Sequence, residues 1–277
     1  MVELGKTCRL PVVKQVEFGV YLNADALGQV LLPRKYVPEN CAIGDEVEVF
    51  IYLDSEDTPI ATTRKPLAEV GQFAYLQTIA TGAYGAFLDW GLDKDLLLPF
   101  AEQRQKAEEG RSYLVYVHVN RADERIVASA KIDKFIDKTP AHYRNGEQVE
   151  VIIAGKSDLG FKVIVNQQHW GVIHNSDVFR NLRYGQTVKA FIKQVRADGK
   201  LDVALQQGGK QELDKQSQLI LKRLKQANGF LPFSDKTAPE VIYAELAMSK
   251  KAFKKAIGGL YKAGEITISD DGLHAAK

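Results

Sequence analysis

The sequence predicts a mainly β, multidomain chain: three tandem five-stranded barrels followed by a C-terminal α+β domain. Three observations lead there. One pattern recurs three times without an internal gap, each copy is rich in short β-type segments, and the chain beyond residue 210 changes to a helical period.

The repeat is anchored on Gly19, Gly85 and Gly160. Fourteen residues before each lies Gly5, Gly71 or Gly146, and twenty-five after each lies Gly44, Gly110 or Gly185. An apolar run ends fourteen after each anchor, in Val30-Leu31-Leu32-Pro33, Leu96-Leu97-Leu98-Pro99 and Gly171-Val172-Ile173-His174. A last strand-like segment starts forty-one after, at Ile60, Ile126 and Leu201. Four landmarks in one register across three copies are not a chance pattern.

Within each copy, Val47–Ile51, Leu114–Val117 and Val188–Ile192 carry the β-branched and aromatic residues that suit a pleated, half-buried surface. Glycines at the outer landmarks open strands after turns. The anchor glycine sits inside a strand pattern, as in Phe18-Gly19-Val20-Tyr21-Leu22, and such a glycine marks a bulge or bend at a barrel corner. About five strands in about 65 residues fit a Greek-key OB barrel. The expected segments are 1–65, 66–132 and 140–207. Nine extra residues around Lys134-Phe135-Ile136-Asp137-Lys138-Thr139-Pro140 make 133–139 a short helix or linker ended by proline.

Residues 210–277 read as a separate domain. Leu213, Ile220 and Leu224 have helical spacing, and Asn228-Gly229 stops that helix. Pro239 lies in the first turn of a second helix, running to Leu246. Ser249 caps a third, ended by Gly264. Ile266-Thr267-Ile268, a turn at Ser269–Gly272 and Leu273 form a hairpin, which completes the winged-helix order. At about 100° per residue, Phe253, Ile257, Leu260 and Tyr261 fall within an arc of about 100° that faces the core. Lys250, Lys251, Lys254, Lys255 and Lys262 take an adjoining arc of about 140°.

Composition bounds the function. A hydrophobic fraction of 45% and a charged fraction of 26% are ordinary for a globular chain, and 277 residues suit two to four domains. No apolar run reaches the roughly 20 residues that span a bilayer, and no basic-then-apolar leader opens the chain. Only Cys8 and Cys41 are present, so neither a disulfide framework nor a zinc site is expected, and the cytoplasm is the expected compartment. The net charge of +2 conceals a gradient: 7 basic and 10 acidic groups in 1–65, 9 and 11 in 66–139, 9 and 6 in 140–209, 12 and 8 in 210–277. A polyanion is therefore expected to sit mainly on the C-terminal half.

Thr81-Gly82-Ala83-Tyr84-Gly85-Ala86-Phe87-Leu88-Asp89 resembles the second-strand motif of the S1 domain, an OB-fold named after a small-subunit ribosomal protein. Gly171-Val172-Ile173-His174-Asn175-Ser176 resembles its third-strand motif. Three such copies before a winged helix resemble the bacterial conserved virulence factor B family over the whole chain. The resemblance implies an RNA-binding face made of an aromatic one before the anchor and another two after it, a histidine ending the third strand, and a basic residue forty after. Those positions hold Phe18 and Tyr21, then Tyr84 and Phe87; the third copy departs, with Leu159 and Lys162. The histidine is present once, as His174, and the basic residue twice, as Arg125 and Lys200.

The residue types suit that role. Nucleobases stack on Phe or Tyr with about 1–3 kcal/mol per base, without demanding sequence. Arg125 and Lys200 would meet phosphates. The same aromatics have a second use as barrel core, and His174 a second use as a strand end. Lys250, Lys251, Lys254 and Lys255 suit a nucleic-acid reader, a solvated helix or docking on the acidic barrels. That face lacks the Arg, Asn and Gln of bidentate base contacts, which argues against sequence-specific duplex reading.

No catalytic constellation is visible. Gly208-Gly209-Lys210-Gln211 lacks P-loop spacing, His118, His142, His169, His174 and His274 form no metal-ligand pattern, and Asp89, Asp93 and Asp95 read as a solvated loop. The expectation is a non-enzymatic protein without cofactor, metal, membrane partner or small-molecule substrate. It binds RNA, preferably single-stranded, and regulates expression after transcription. The alternatives are a winged-helix DNA-binding transcription regulator and a ribosome-associated interaction scaffold.

Overall fold

The computed structural model describes residues 2–178, 180–207 and 210–276. Met1, Phe179, Lys277 and the Gly208-Gly209 pair lie outside the described residues. The chain forms two compact units, Met1–Phe135 and Ile136–Lys277.

The first unit holds two closed barrels. Strands β1 (Thr7–Val16), β2 (Gly19–Asn23), β3 (Gln29–Pro33), β4 (Glu46–Leu53) and β5 (Pro59–Thr62) close in the order β1-β2-β3-β5-β4. Strands β6 (Phe73–Thr81), β7 (Gly85–Asp89), β8 (Leu96–Pro99), β9 (Ser112–Val119) and β10 (Ile126–Ser129) repeat that order. In the second unit, β11 (Gln148–Ser157), β12 (Gly160–Val165), β13 (His169–His174), β14 (Thr187–Val195) and β15 (Leu201–Ala204) do so again. The third and fifth strands pair in parallel and the other neighbours are antiparallel, the Greek-key closure of an OB barrel.

The anchor glycines have a different role from the expected one. Each opens a second strand, with φ of 156°, 155° and 146°. A Cβ there would lie 2.2 Å from the Leu32 carbonyl oxygen, 2.2 Å from that of Leu98 and 2.0 Å from that of Ile173. Close approach of the neighbouring strand is what requires glycine. The bulges fall on the partner strand instead, between Val12 and Lys14, Thr78 and Ala80, and Ile153 and Gly155, six residues before each anchor. They bend the long first strand around the barrel.

Strand β4 departs from alternation: Val49, Phe50, Ile51 and Tyr52 are all buried. Val49 and Ile51 fill the first barrel. Phe50 and Tyr52 point the other way and join the second barrel's core, where Phe50 meets Trp90 edge-on at 5.7 Å. The first two barrels are therefore packed through an apolar contact. A 3-10 turn at Ile132–Lys134 follows the second barrel, and Phe135 stacks on Tyr116 at 4.2 Å.

The C-terminal domain contains α1 (Lys210–Gln226), β16 (Phe230–Leu231), α2 (Pro239–Leu246), α3 (Lys250–Lys262), β17 (Ile266–Ile268) and β18 (Leu273–Ala275), the sheet running β16-β18-β17. The Ser249 side chain caps α3 by accepting from the Ala252 amide at 3.1 Å. Strand β16, two residues long, has no period to read in the sequence. Ile220, Leu224, Phe253, Ala256, Ile257 and Leu260 form the core between α1 and α3. Tyr261, expected among them, is 57% exposed. Ala256 is buried in its place, so the covered arc of α3 runs from Ala256 to Ile257 and the phenol ring lies beyond it.

Candidate nucleic-acid interface

In the first barrel the β1–β2 corner leaves Phe18 58% exposed. Tyr21, two after the anchor, points outward between buried Val20 and Leu22. The two rings meet edge-on, with centroids 6.5 Å apart, and the Lys14 ammonium lies 5.9 Å from the Tyr21 centroid. The spacing of one before and two after thus brings both aromatics to one surface.

The second barrel repeats this with Tyr84, 78% exposed, and half-buried Phe87. Both line a cleft of about 800 Å³ that also touches Asp57 and Tyr52 of the first barrel. Arg125, expected to meet phosphate, lies in this cleft but donates to the Asp57 carboxylate. Lys94 approaches the same carboxylate at 3.3 Å. Burial works against the charged form of Asp57, yet hydrogen bonds from Lys94 and Arg125 leave its pKa lowered.

Asp93, on an exposed loop as expected, is also a second crossing point between the two barrels. Its carboxylate accepts from Lys35, from the Tyr36 hydroxyl at 2.6 Å and from Arg64 at 2.9 Å, all three on the first barrel. The Lys35 and Tyr36 hydrogen bonds hold its pKa below the ordinary value. Burial and neighbouring Asp89 push Asp95 the other way. Among the described residues no three His, Cys, Asp or Glu are grouped to hold a metal ion.

The third barrel is built differently. Leu159 is 70% exposed in place of an aromatic, and the Lys162 ammonium lies 3.6 Å from the Trp170 ring centroid. His174 Nε2 is 2.9 Å from Asp202 Oδ1, and Arg196 donates to both oxygens of Asp202 at 3.0 and 2.7 Å. Burial opposes ionisation of Asp202, but the Arg196 and His174 contacts keep its pKa lowered. Lys200 is exposed and pairs with Asp198 at 3.1 Å. Sequence reading missed Arg196 and Asp202. Asp202 lies on β15 beside Val172 of β13, and only that parallel pairing brings it to His174.

The α3 lysines divide. Lys251 lies 3.7 Å from Asp177 of the third barrel, which also accepts from Lys193 at 2.6 Å. Lys254 lies 3.7 Å from Asp235 within its own domain. Lys250 is half-buried and Lys255 exposed. Lys251 and Lys255 line a cleft of about 480 Å³ between the third barrel and the winged helix. Gln206 holds that junction: its side-chain amide donates to the Ala247 carbonyl at 2.8 Å, and its side-chain oxygen accepts from the Ser249 amide at 3.2 Å.

Comparison with known proteins agrees with this architecture. An S1 domain model matches residues 4–64, and a CvfB-like winged helix domain model matches residues 218–274. The protein YitL of Bacillus subtilis is 28% identical over 275 residues, covering 95% of this chain and 90% of that one. Conserved virulence factor B of Staphylococcus saprophyticus is 27% identical over 241 residues, covering 82% of this chain and 78% of its own. A crystal structure of a multidomain protein with nucleic acid binding domains from Streptococcus pneumoniae aligns over 98% of both chains at 24% identity, with a TM-score of 0.42. The matched domains are nucleic-acid-binding types and not enzyme families. No helix among the described residues is long and apolar enough to cross a membrane. With an S1 domain match at one end, a CvfB-like winged helix match at the other and similarity along most of its length, the chain is similar to the conserved virulence factor B proteins.

Proposed function

We propose that the chain binds single-stranded RNA in the cytoplasm and regulates gene expression after transcription, without catalysing a reaction. The observation that carries this reading is Tyr84: folding leaves 78% of a large aromatic in water, beside Phe87 on the same cleft. An exposed ring on an OB barrel offers a flat face to a nucleobase. The C-terminal half supplies the cations, with 9 basic against 6 acidic groups in 140–209 and 12 against 8 in 210–277. On this reading the barrel segments 1–65, 66–132 and 140–207 and the winged helix 210–277 act together, with Phe18, Tyr21, Tyr84 and Phe87 stacking and the α3 lysines neutralising phosphate.

The test compares unstructured RNA, duplex RNA and duplex DNA of one length at one salt concentration. Tightest binding to unstructured RNA is expected. Preference for duplex DNA would favour a winged-helix transcription regulator. Failure to bind any of the three would favour an interaction scaffold.

A further inference from the structure

The third barrel lacks the aromatic pair of the other two, yet it does not lack a partly exposed ring on its outer face. Two after the anchor stand Tyr21, Phe87 and Lys162; ten after it stand Gln29, Asp95 and Trp170. The third copy alone carries a cation at the first of these positions, on its second strand, and an aromatic at the other, on its third strand.

The strand register places both on one face. Lys162 pairs with Val172, and Ile164 pairs with Trp170, so Lys162 and Trp170 are diagonal neighbours. Along β13, half-buried Trp170, Val172 and His174 alternate with buried His169, Gly171 and Ile173. Trp170 and His174 therefore share the outer face, which Lys162 joins from β12. The backbone under the indole is held by the Trp170 amide, which donates to Asp137 at 2.9 Å.

The other tryptophan serves as a contrast. Trp90 is 3% exposed, and its indole N–H donates to the Lys94 carbonyl at 2.6 Å. The Trp170 indole N–H has no such partner among the described residues. A partly exposed indole with a lysine ammonium resting on it combines the two interactions a single strand needs, a stacking face and a phosphate counter-charge.

We propose that Trp170 is the base-stacking residue of the third barrel and that Lys162 contacts the adjoining phosphate. The strand displaces the ammonium from the ring, and the base takes its place. This rests on the RNA-binding reading above.

The test uses the full chain and an unstructured RNA oligonucleotide. Trp90 is buried but lines the cleft of Tyr84 and Phe87, so the Trp170→Phe variant is what assigns the quenching to Trp170. Saturating RNA is expected to quench the wild-type emission, and Trp170→Phe is expected to abolish that quenching while keeping affinity within about threefold. Trp170→Ala and Trp170→Leu are each expected to weaken binding about tenfold, the lower part of the range for one stacked base. Leu fills space without a π face, so its loss separates stacking from packing, and circular dichroism checks that each variant is folded. Lys162→Ala is expected to reduce the salt dependence by about one phosphate contact. Unchanged wild-type emission at saturation, or wild-type affinity in Trp170→Leu, overturns the proposal while the RNA-binding reading stands. Absence of RNA binding by the wild-type chain overturns both.

Discussion

Asp57, in the turn between β4 and β5 of the first barrel, accepts a hydrogen bond from Arg125 of the second barrel, 68 residues further along the chain. The guanidinium best placed in the second barrel to meet phosphate is thereby neutralised by its neighbour. Asp57→Asn removes the charge and keeps the shape. The expected result is RNA affinity about two- to threefold higher at low salt, with little stability lost, since the pair is half exposed and screened by solvent. Paired RNA titration and chemical denaturation of the two proteins check both outcomes.

Replacing Tyr84 and Phe87 together with Ala should weaken RNA binding by roughly 1–3 kcal/mol for each base that loses its stack. Tyr84 is exposed enough that the barrel should remain folded. If far-UV circular dichroism shows that the double variant has unfolded, the rings serve the core and not a ligand.

The charge gradient predicts a division of labour between the two compact units. Residues 136–277 should retain most of the RNA affinity and salt dependence, and residues 1–135 should bind weakly despite their better-matched aromatics. Replacing Lys250, Lys251, Lys254 and Lys255 together should flatten the salt dependence, by about 0.7 in log–log slope for each lysine on a phosphate. A salt series on both fragments and the variant decides it; equal binding by 1–135 would show that local aromatic surface outweighs net charge.

Asp93 predicts an acid response in the first unit. Hydrogen bonds from Lys35 and Tyr36 lower its pKa from the ordinary value of 3.8. A lowered folded-state value means that its contribution is fully present above 3.8 and fades as pH falls through the lower folded value. Thermal melts of wild type and Asp93→Asn should differ at neutral pH and converge below the ordinary value. A constant difference across that window would count against the contact.

Gly85→Ala tests the backbone origin of the repeat. The new Cβ would lie 2.2 Å from the Leu98 carbonyl oxygen, at a φ of 155°. A loss of about 3 kcal/mol is expected, at the upper end for ordinary single substitutions. Urea denaturation measures it, and Gly110→Ala, where a Cβ meets nothing within 4 Å, should cost less.

The sequence by itself determined the elements and their order. Strand alternation, turn glycines, the Pro239 start and the Ser249 cap are local properties, legible wherever the chain is read in register. The anchor glycine was legible as a backbone requirement, since no other residue suits both its φ and its close neighbour. Placing Phe18 with Tyr21 on one surface came from the family resemblance, and the hairpin they share, not a bulge at the anchor, brings it about.

Tertiary structure decided what depends on partners distant in sequence. The bulges lie on the first strand because pairing geometry, which no single segment encodes, sets where the extra residue is absorbed. Arg125 lost its expected freedom to Asp57, and Asp93 became a clasp, because the two barrels pack through Phe50 and Trp90. Tyr261 was left outside because burial depends on which face of α3 is covered by α1. Charges counted along the chain give the field a distant polyanion meets. Which of those charges remain unpaired is set by closure of the fold, as Lys251 beside Asp177 shows.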